Sequence, residues 1–207
     1  MSEPVAVRRR AGQRGASDPV AVRRRARQHS QPAAVRQVVL ALGSNLGDRL
    51  AMLQAGIDAL AAEPGLAVTA VSAVYETAPV GGPPQPDYLN AVLLALSALP
   101  ARAILRRCQA AEAAAGRVRT VAWGPRTLDV DIIACGSEVS DDPELTLPHP
   151  RAHERAFVLA PWQDVDPDAA LPGYGPVASL LARTPAAGVR RLAGPGLRIP
   201  GTARNQR

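Results

Sequence analysis

The order of periodic segments predicts an α+β fold in which two strand–helix–strand units share one sheet. Three observations carry this. Two stretches, 48–62 and 100–115, repeat apolar residues at helical spacing. Four strand-like runs flank them. The resulting order is β-α-β-β-α-β, the split βαβ signature of a ferredoxin-like sandwich. Periodic segments beyond residue 150 add extra C-terminal helices to it.

Val35 to Leu42 reads as the first strand, and Gly43 to Asp48 as the turn into a helix, with Asp48 as N-cap. Leu50, Leu53, Ile57 and Leu60 share one helical face until Pro64-Gly65 stops the helix. Val68 to Tyr75 alternates as a second strand. Ala78 to Asp87 is a Pro/Gly-rich loop, too long for a simple hairpin and therefore a candidate functional loop. Leu89 to Leu96 is the third strand. The second helix runs from Pro100 to Ala115 and closes at Gly116. Thr127 to Ala134 is the fourth strand. After a Pro-rich loop come a helix at His153 to Trp162 and a short one at Val177 to Ala182.

The chain has 207 residues, room for one domain with extensions, and an apolar content of 47%, enough for a sizeable core. No apolar stretch is long enough to span a bilayer. Lysine is absent, so a Walker A loop and Schiff-base chemistry are excluded. Phosphate handling would fall to arginine and metal. The net charge of +6 belongs to the N-terminus: residues 1–36 hold 9 arginines and 2 acids, whereas residues 37–207 hold 15 arginines and 16 acids. The basic pI therefore argues little for a nucleic-acid-binding domain, and no nucleic acid is expected as a partner. Cys108 and Cys135 lack any CxxC or metal-like spacing and read as buried free thiols of a reducing, cytoplasmic protein.

Residues 1–34 contain a short duplication, Glu3 to Ala11 recurring as Asp18 to Ala26. This Arg-rich tail cannot bury a core and is expected to be disordered; an acid-poor, Arg-rich leader also resembles a transit peptide. The functional domain is expected at 35–183. The Gly/Pro/Arg-rich residues 184–207 are expected to form a flexible tail.

The most informative stretch is 116–133. On a strand, Asp129 and Asp131 point to one face while Leu128, Val130 and Ile132 point to the other. Two adjacent carboxylates repel unless a cation lies between them. Hard oxygen ligands suit Mg²⁺, commonly held by one or two carboxylates plus substrate phosphates. An isolated Asp-x-Asp is also a common solvated strand face. Arg117, Arg119 and Arg126 close by favour a metal–polyphosphate site, since guanidinium groups bind phosphate oxygens in pairs. The polar run from Gly116 to Trp123 reads as a connection or as a mobile lid. In a second cluster, Thr77 to Gly81 followed by Tyr88-Leu89-Asn90, Tyr88 and Asn90 share a strand face suited to a flat heterocycle or to plain packing. A third cluster joins Leu145 to Arg151, with His149 between prolines, to Arg155-Ala156-Phe157.

Together these clusters resemble the 6-hydroxymethyl-7,8-dihydropterin pyrophosphokinase family of folate biosynthesis. The resemblance runs in order over residues 35–170: Leu42 to Asp48, Tyr75 to Gly81, Gln85 to Asn90, Gly116 to Arg119, Trp123 to Ile132, Leu147 to Arg151 and Arg155 to Leu159. It implies a ferredoxin-like fold and transfer of the ATP β,γ-diphosphate to the pterin hydroxymethyl group with release of AMP. Asp129 and Asp131 would hold two Mg²⁺ ions, and Arg117 and Arg126 would stabilise charge during transfer. Arg119 and Arg155 would add phosphate contacts. Gln109, Glu112, Ile132, Thr146 and His149 would line the nucleotide site. Tyr88 and Phe157 would sandwich the pterin; Thr77, Val80 through its backbone, and Asn90 would read its edges; and Trp123 would close the lid over ATP and pterin. A monomer is expected. The chain departs from some relatives in a short 120–122 loop and in Glu144, where some members carry a basic residue. Two other readings use the same residues: a ferredoxin-like nucleotidyltransferase or cyclase releasing pyrophosphate, and an RNA-binding module with a basic arm, the latter weakened by the near-neutral body.

Overall fold

The computed structural model describes residues 34–117, 124–194 and 196–201. The N-terminal tail, Arg119 and Trp123 lie outside these residues.

β1 (Arg36–Ser44) and β4 (Tyr88–Ser97) form the centre of a six-stranded antiparallel sheet, and β5 (Asp129–Cys135) closes one side. On the other side β4 pairs with two short strands, β2 (Ala67–Val71) and β3 (Tyr75–Thr77). The first helix, α1 (Arg49–Ala61), and the second, α2 (Ala101–Ala114), complete the expected split βαβ order. A hairpin of β6 (Ser140–Asp142) and β7 (Leu145–Leu147) follows β5. A 3-10 turn at Ala152–Glu154 leads into α3 (Ala156–Val165). Then come the two-residue strands β8 (Ala170–Leu171) and β9 (Gly175–Pro176), α4 (Val177–Arg183) and β10 (Arg190–Arg191).

Both sheet faces are covered, which is why β1 and β4 are apolar on both sides. On one face Val38, Leu40, Leu42, Leu93 and Ile132 pack with Leu53, Ile57 and Leu60 of α1 and with Ile104 and Cys108 of α2. On the other, Val39, Val92, Leu94 and Ile133 pack with Val158, Leu159 and Trp162 of α3 and with Val177 and Leu180 of α4. The extra C-terminal helices thus close a second core. Each fully buried Leu or Ile here contributes about 1.5–3 kcal/mol.

Local chemistry sets the element ends. Asp48 caps α1, its carboxylate accepting the Ala51 N–H at 3.0 Å. Gly116, at φ 72°, ends α2, and the Arg117 N–H reaches back to the Glu112 carbonyl at 3.1 Å. This is a glycine-closed helix end, and it folds Arg117 against its own helix.

Two expectations require correction. The single strand expected over Val68 to Tyr75 is broken at residues 72–74. The buried Ser72 hydroxyl accepts the Val92 N–H at 2.9 Å, and the Ala73 N–H goes to Asp164 Oδ2 at 2.9 Å, so the ladder is interrupted. The segment from Thr184, expected to be flexible, contributes β10, which pairs with β3; the Leu192 N–H donates to the Val74 carbonyl at 2.8 Å. Leu197 is 9% exposed against the α1 face, and Arg198 exchanges main-chain hydrogen bonds with Gln54 at 2.8 and 2.9 Å. Burial of Leu197, partial burial of Leu192 and an added strand hold a segment whose composition alone predicts none of this.

Candidate active site

The α3-side face of the sheet becomes polar toward one end, and strand register explains how. Gly43 lies opposite Asn90 on β4 and opposite Asp129 on β5; Asn90 in turn lies opposite Tyr75. One step toward the sheet centre, Ala41 lies opposite Asp131 and Val92. Because side chains alternate, Tyr88, Asn90, Asp129 and Asp131 all emerge on the α3 side. Gly43 leaves the floor between them open: a Cβ there would sit 3.2 Å from Asn90 Oδ1 and 3.7 Å from Tyr88 Cδ1.

Over this floor lies a cavity of about 370 Å³. Thr77, Val80, Tyr88, Asn90, Arg126, Asp129, Asp131, Arg155 and Phe157 line it, nine of the residues expected at the site. Arg151 and Gln85 also line it and were not assigned a role from sequence; Arg151 stood inside the Pro-His-Pro-Arg segment, where its charge was the available signal. The acidic end and the aromatic end are therefore parts of one space.

Arginines and a histidine surround the acidic end. Arg117 Nη1 lies 2.6 Å from Asp129 Oδ1, and Arg126 pairs with Asp129 Oδ2. Arg155 Nη1 lies 3.7 Å from Asp131 Oδ2. His149 Nδ1 lies 3.2 Å from the Arg151 N–H, and its Nε2 lies 3.4 Å from Arg155 Nη1 and 3.9 Å from Asp131 Oδ2. Burial, and then the Arg155 charge, push the His149 imidazolium down to about 4, so the ring is neutral near pH 7. Burial and the Asp129 charge push the Asp131 carboxyl up to about 6. The neighbouring carboxylate adds to the effect of burial, and the surrounding arginines oppose it.

At the aromatic end, Tyr88 Oη donates to Gln85 Oε1 at 3.1 Å, and Asn90 Nδ2 donates to Thr77 Oγ1 at 2.8 Å. Thr77 and Asn90 are buried, whereas Val80 is 61% exposed at the rim. The Arg155 guanidinium stands 5.6 Å from the Phe157 ring centroid. Asn45, 2% exposed, links the two ends. Its Oδ1 accepts the Arg126 N–H at 2.7 Å, while its Nδ2 donates to Gln85 Oε1 at 2.9 Å and to the Pro86 carbonyl at 3.1 Å.

Several residues expected at the nucleotide end do not line this cavity. The Ile132 side chain is in the α1/α2 core. Gln109 is exposed on α2. Thr146 lies on β7, its hydroxyl donating to the Asp142 carbonyl at 3.2 Å. Glu112 is 5% exposed; its Oε1 accepts the Val130 N–H at 2.8 Å, and it pairs with Arg117. That N–H lies between the two aspartates, so Glu112 braces the strand that carries them. Glu144 pairs with Arg102 at 2.8 Å.

Among the described residues no group of three or more His, Cys, Asp or Glu side chains is placed to hold a metal. Two carboxylates are what this chain offers, a donor set that fits Mg²⁺ when substrate oxygens complete its shell. The Asp129 charge that adds to the rise of the Asp131 carboxyl is a repulsion that a cation would relieve. No helix among the described residues is long and apolar enough to cross a membrane.

Comparison with known proteins agrees with this geometry. The sequence profile of the family described as 7,8-dihydro-6-hydroxymethylpterin-pyrophosphokinase (HPPK) matches residues 39–167. The 2-amino-4-hydroxy-6-hydroxymethyldihydropteridine pyrophosphokinase of Mycobacterium tuberculosis strain H37Rv is 50% identical over 159 residues, covering 70% of this chain and 82% of that protein. Its counterpart in Pseudomonas aeruginosa is 41% identical over 160 residues, 77% of this chain and 99% of that protein. Among solved structures, wild-type Plasmodium falciparum HPPK-DHPS with pteroate aligns at a TM-score of 0.58 and 11% identity, over 74% of this chain and 45% of that one. This chain spans less than half the length of that solved protein, and at such identity the likeness shows the fold alone: the α+β, ferredoxin-like core. On the profile match and the identity to its curated relatives, the chain belongs to the 7,8-dihydro-6-hydroxymethylpterin-pyrophosphokinase family.

Proposed function

We propose that the cavity on the α3 side of the sheet is where both substrates meet, with Asp129 and Asp131 at the donor end and Tyr88, Asn90 and Phe157 at the acceptor end. The reaction of the family is this chain's reaction: pyrophosphoryl transfer to hydroxymethyldihydropterin in folate biosynthesis, with ATP as co-substrate. The observation that carries the site assignment is the cross-strand row Asn90–Gly43–Asp129, which puts the carboxylates and the aromatic face on one floor with no side chain between them.

The roles follow from chemistry. The hydroxymethyl oxygen forms a bond to the β-phosphorus and gives up its proton to water as the bond from that phosphorus to the α,β-bridging oxygen breaks, and AMP leaves with that oxygen. Such a transfer asks the protein mainly for alignment and charge neutralisation. Arg126 and Arg117 flank Asp129 and are placed to offset charge on the transferring group; Arg155 does the same beside Asp131. Asp129 and Asp131 would hold two Mg²⁺ ions, which when bound neutralise the phosphate oxygens. His149, neutral near pH 7 and beside Arg155, belongs to the nucleotide side in this reading. Gln109, Ile132 through its main chain, and Thr146 mark the remaining nucleotide side in this reading, with Arg119 and Trp123 on the 118–123 segment. Tyr88 and Phe157 give the pterin a stacking surface, and Thr77, Asn90 and the Val80 main chain supply its hydrogen-bonding edge. The catalytic unit in this reading begins near residue 35 and runs through Arg198, past the boundary at 183 that composition suggests. A monomer and a cytoplasmic setting belong to this reading, the latter in keeping with two free buried thiols.

The test is an assay with Mg-ATP and 6-hydroxymethyl-7,8-dihydropterin that identifies the nucleotide product. AMP in step with pterin consumption is expected. ADP, or free pyrophosphate as the product, would overturn the assignment. Mg²⁺ binding is checked separately, by the thermal shift that Mg²⁺ with a non-hydrolysable ATP analogue produces; Asp131→Asn should abolish the Mg²⁺-dependent part.

A further inference from the structure

We infer that Arg49 is a positioning residue for the acceptor end of the site, held in place by Glu76 and, through Glu76, by the C-terminal strand β10. The inference rests on the assignment of Tyr88 and Asn90 to the pterin. Residues 78–87 form the loop between β3 and β4, and they carry Val80, Gly81 and Gln85 of the cavity rim. One end of the loop is Thr77, which holds Asn90. The other is Asp87, just ahead of Tyr88. Arg49, the first residue of α1, reaches both ends: Nη1 donates to the Asp87 carbonyl at 2.7 Å and lies 3.0 Å from Glu76 Oε1. Glu76 alternates with Thr77 on β3, so it points away from the cavity, and neither it nor Arg49 lines the cavity. Arg49 therefore acts on geometry alone.

Glu76 is itself clamped. Its other carboxylate oxygen pairs with Arg190, which lies opposite it in the β3–β10 ladder. The next residue, Arg191, pairs with Asp164 at 3.2 Å, and Asp164 also holds the Ala73 N–H at the break before β3. β3 has three residues and, without β10, an open outer edge. A segment beyond the family match at 39–167 thus sets the strand whose two ends frame the acceptor loop. The Glu76 side chain is 18% exposed and the Arg49 side chain 31%, so this pair is more sheltered than a surface ion pair.

The experiment uses the full chain. Binding of 6-hydroxymethyl-7,8-dihydropterin and of a Mg²⁺-loaded non-hydrolysable ATP analogue is measured for Arg49→Gln, Arg49→Lys, Glu76→Gln and Arg190→Gln, with Tm recorded for each. Loss of a charge-assisted hydrogen bond that orders the loop predicts pterin affinity lower by about tenfold in Arg49→Gln. Analogue binding should be unchanged. Arg49→Lys should recover most of the loss, since one ammonium can meet both acceptors that Nη1 meets. Glu76→Gln and Arg190→Gln should weaken the pterin in the same direction, by less. Equal weakening of both ligands, or normal pterin affinity in all four variants, overturns the inference. Should Arg49→Gln fail to fold, the two milder variants decide alone. Tyr88→Ala separates the two levels: if it leaves pterin affinity intact the acceptor assignment itself fails, and if it alone weakens the pterin only the role of Arg49 falls.

Discussion

Glu112 offers the sharpest test of how the acidic strand is held. The family resemblance places it at the nucleotide, but the structure buries it to 5% exposure and gives its carboxylate the Val130 N–H and the Arg117 guanidinium. Removing it by Glu112→Ala leaves that N–H unsatisfied, a cost of about 1–3 kcal/mol. It also strips one of two carboxylates from Arg117, whose side chain is 10% exposed. Breaking a buried ion pair from one side typically costs about 3–5 kcal/mol in all, which for a chain of this size lowers Tm by roughly 6–20 °C. Glu112→Gln keeps an oxygen for Val130 and loses only the charge; about 1–2 kcal/mol and roughly 2–8 °C are expected. Thermal unfolding by circular dichroism in the absence of ligands measures both. The order Ala worse than Gln worse than parent is required. Were Glu112 a nucleotide ligand instead, Glu112→Gln would raise KM for ATP while leaving the ligand-free Tm where it was, and that result refutes the brace.

Three further outcomes follow from the same geometry. Asp129→Ala and Asp131→Ala should each lower turnover on the order of a thousandfold while circular dichroism stays native, the usual scale for losing a preorganised charge; near-normal turnover in either would remove the metal assignment. Gly56→Ala should destabilise despite alanine's better helix propensity, because the new Cβ would lie 2.9 Å from Leu128 Cδ2 and 3.4 Å from Leu42 Cδ2. Overpacking of about 1–3 kcal/mol exceeds the ~1 kcal/mol gained in the helix, so a higher Tm would contradict the tight contact of α1 with Leu128 and Leu42. Burial, with Glu112 next, pushes the Cys108 thiol up to about 12. The folded state then holds its proton where the unfolded chain has lost it. Stability is unaffected below about pH 9 and falls as pH rises toward 12. At pH 8 iodoacetamide should label Cys108 only as fast as the chain unfolds; labelling at the rate of a free thiol would refute the burial.

Much of the site was legible because strand alternation is a local rule. Asp129 with Asp131, and Tyr88 with Asn90, had to share faces once each run was a strand, and the structure puts all four on one face. The helices were legible from spacing, and the ends of α1 from Asp48 and Pro64. The break at Ser72 was not, since it depends on Asp164, 91 residues away, taking the Ala73 N–H. The hairpin of β6 and β7 was missed because a Pro-rich composition hides two three-residue strands. Asn45 was read as a motif member and Glu112 as a nucleotide-site residue implied by the resemblance; their partners, Gln85 and Val130, are named only by packing.

Sequence by itself determined the class of chemistry here. With no lysine, paired aspartates beside arginines pointed to metal and guanidinium as the expected handlers of phosphate, and the run of motifs led to the family. Alternation and helical spacing are short-range properties, so they survive without knowledge of the fold. Tertiary structure decided what lies between those residues: the glycine floor at Gly43, the brace at Glu112, and the C-terminal strand that closes β3. Each depends on which strands pair and in what register, a long-range outcome of burying both faces of one sheet, and no local pattern along the chain encodes it.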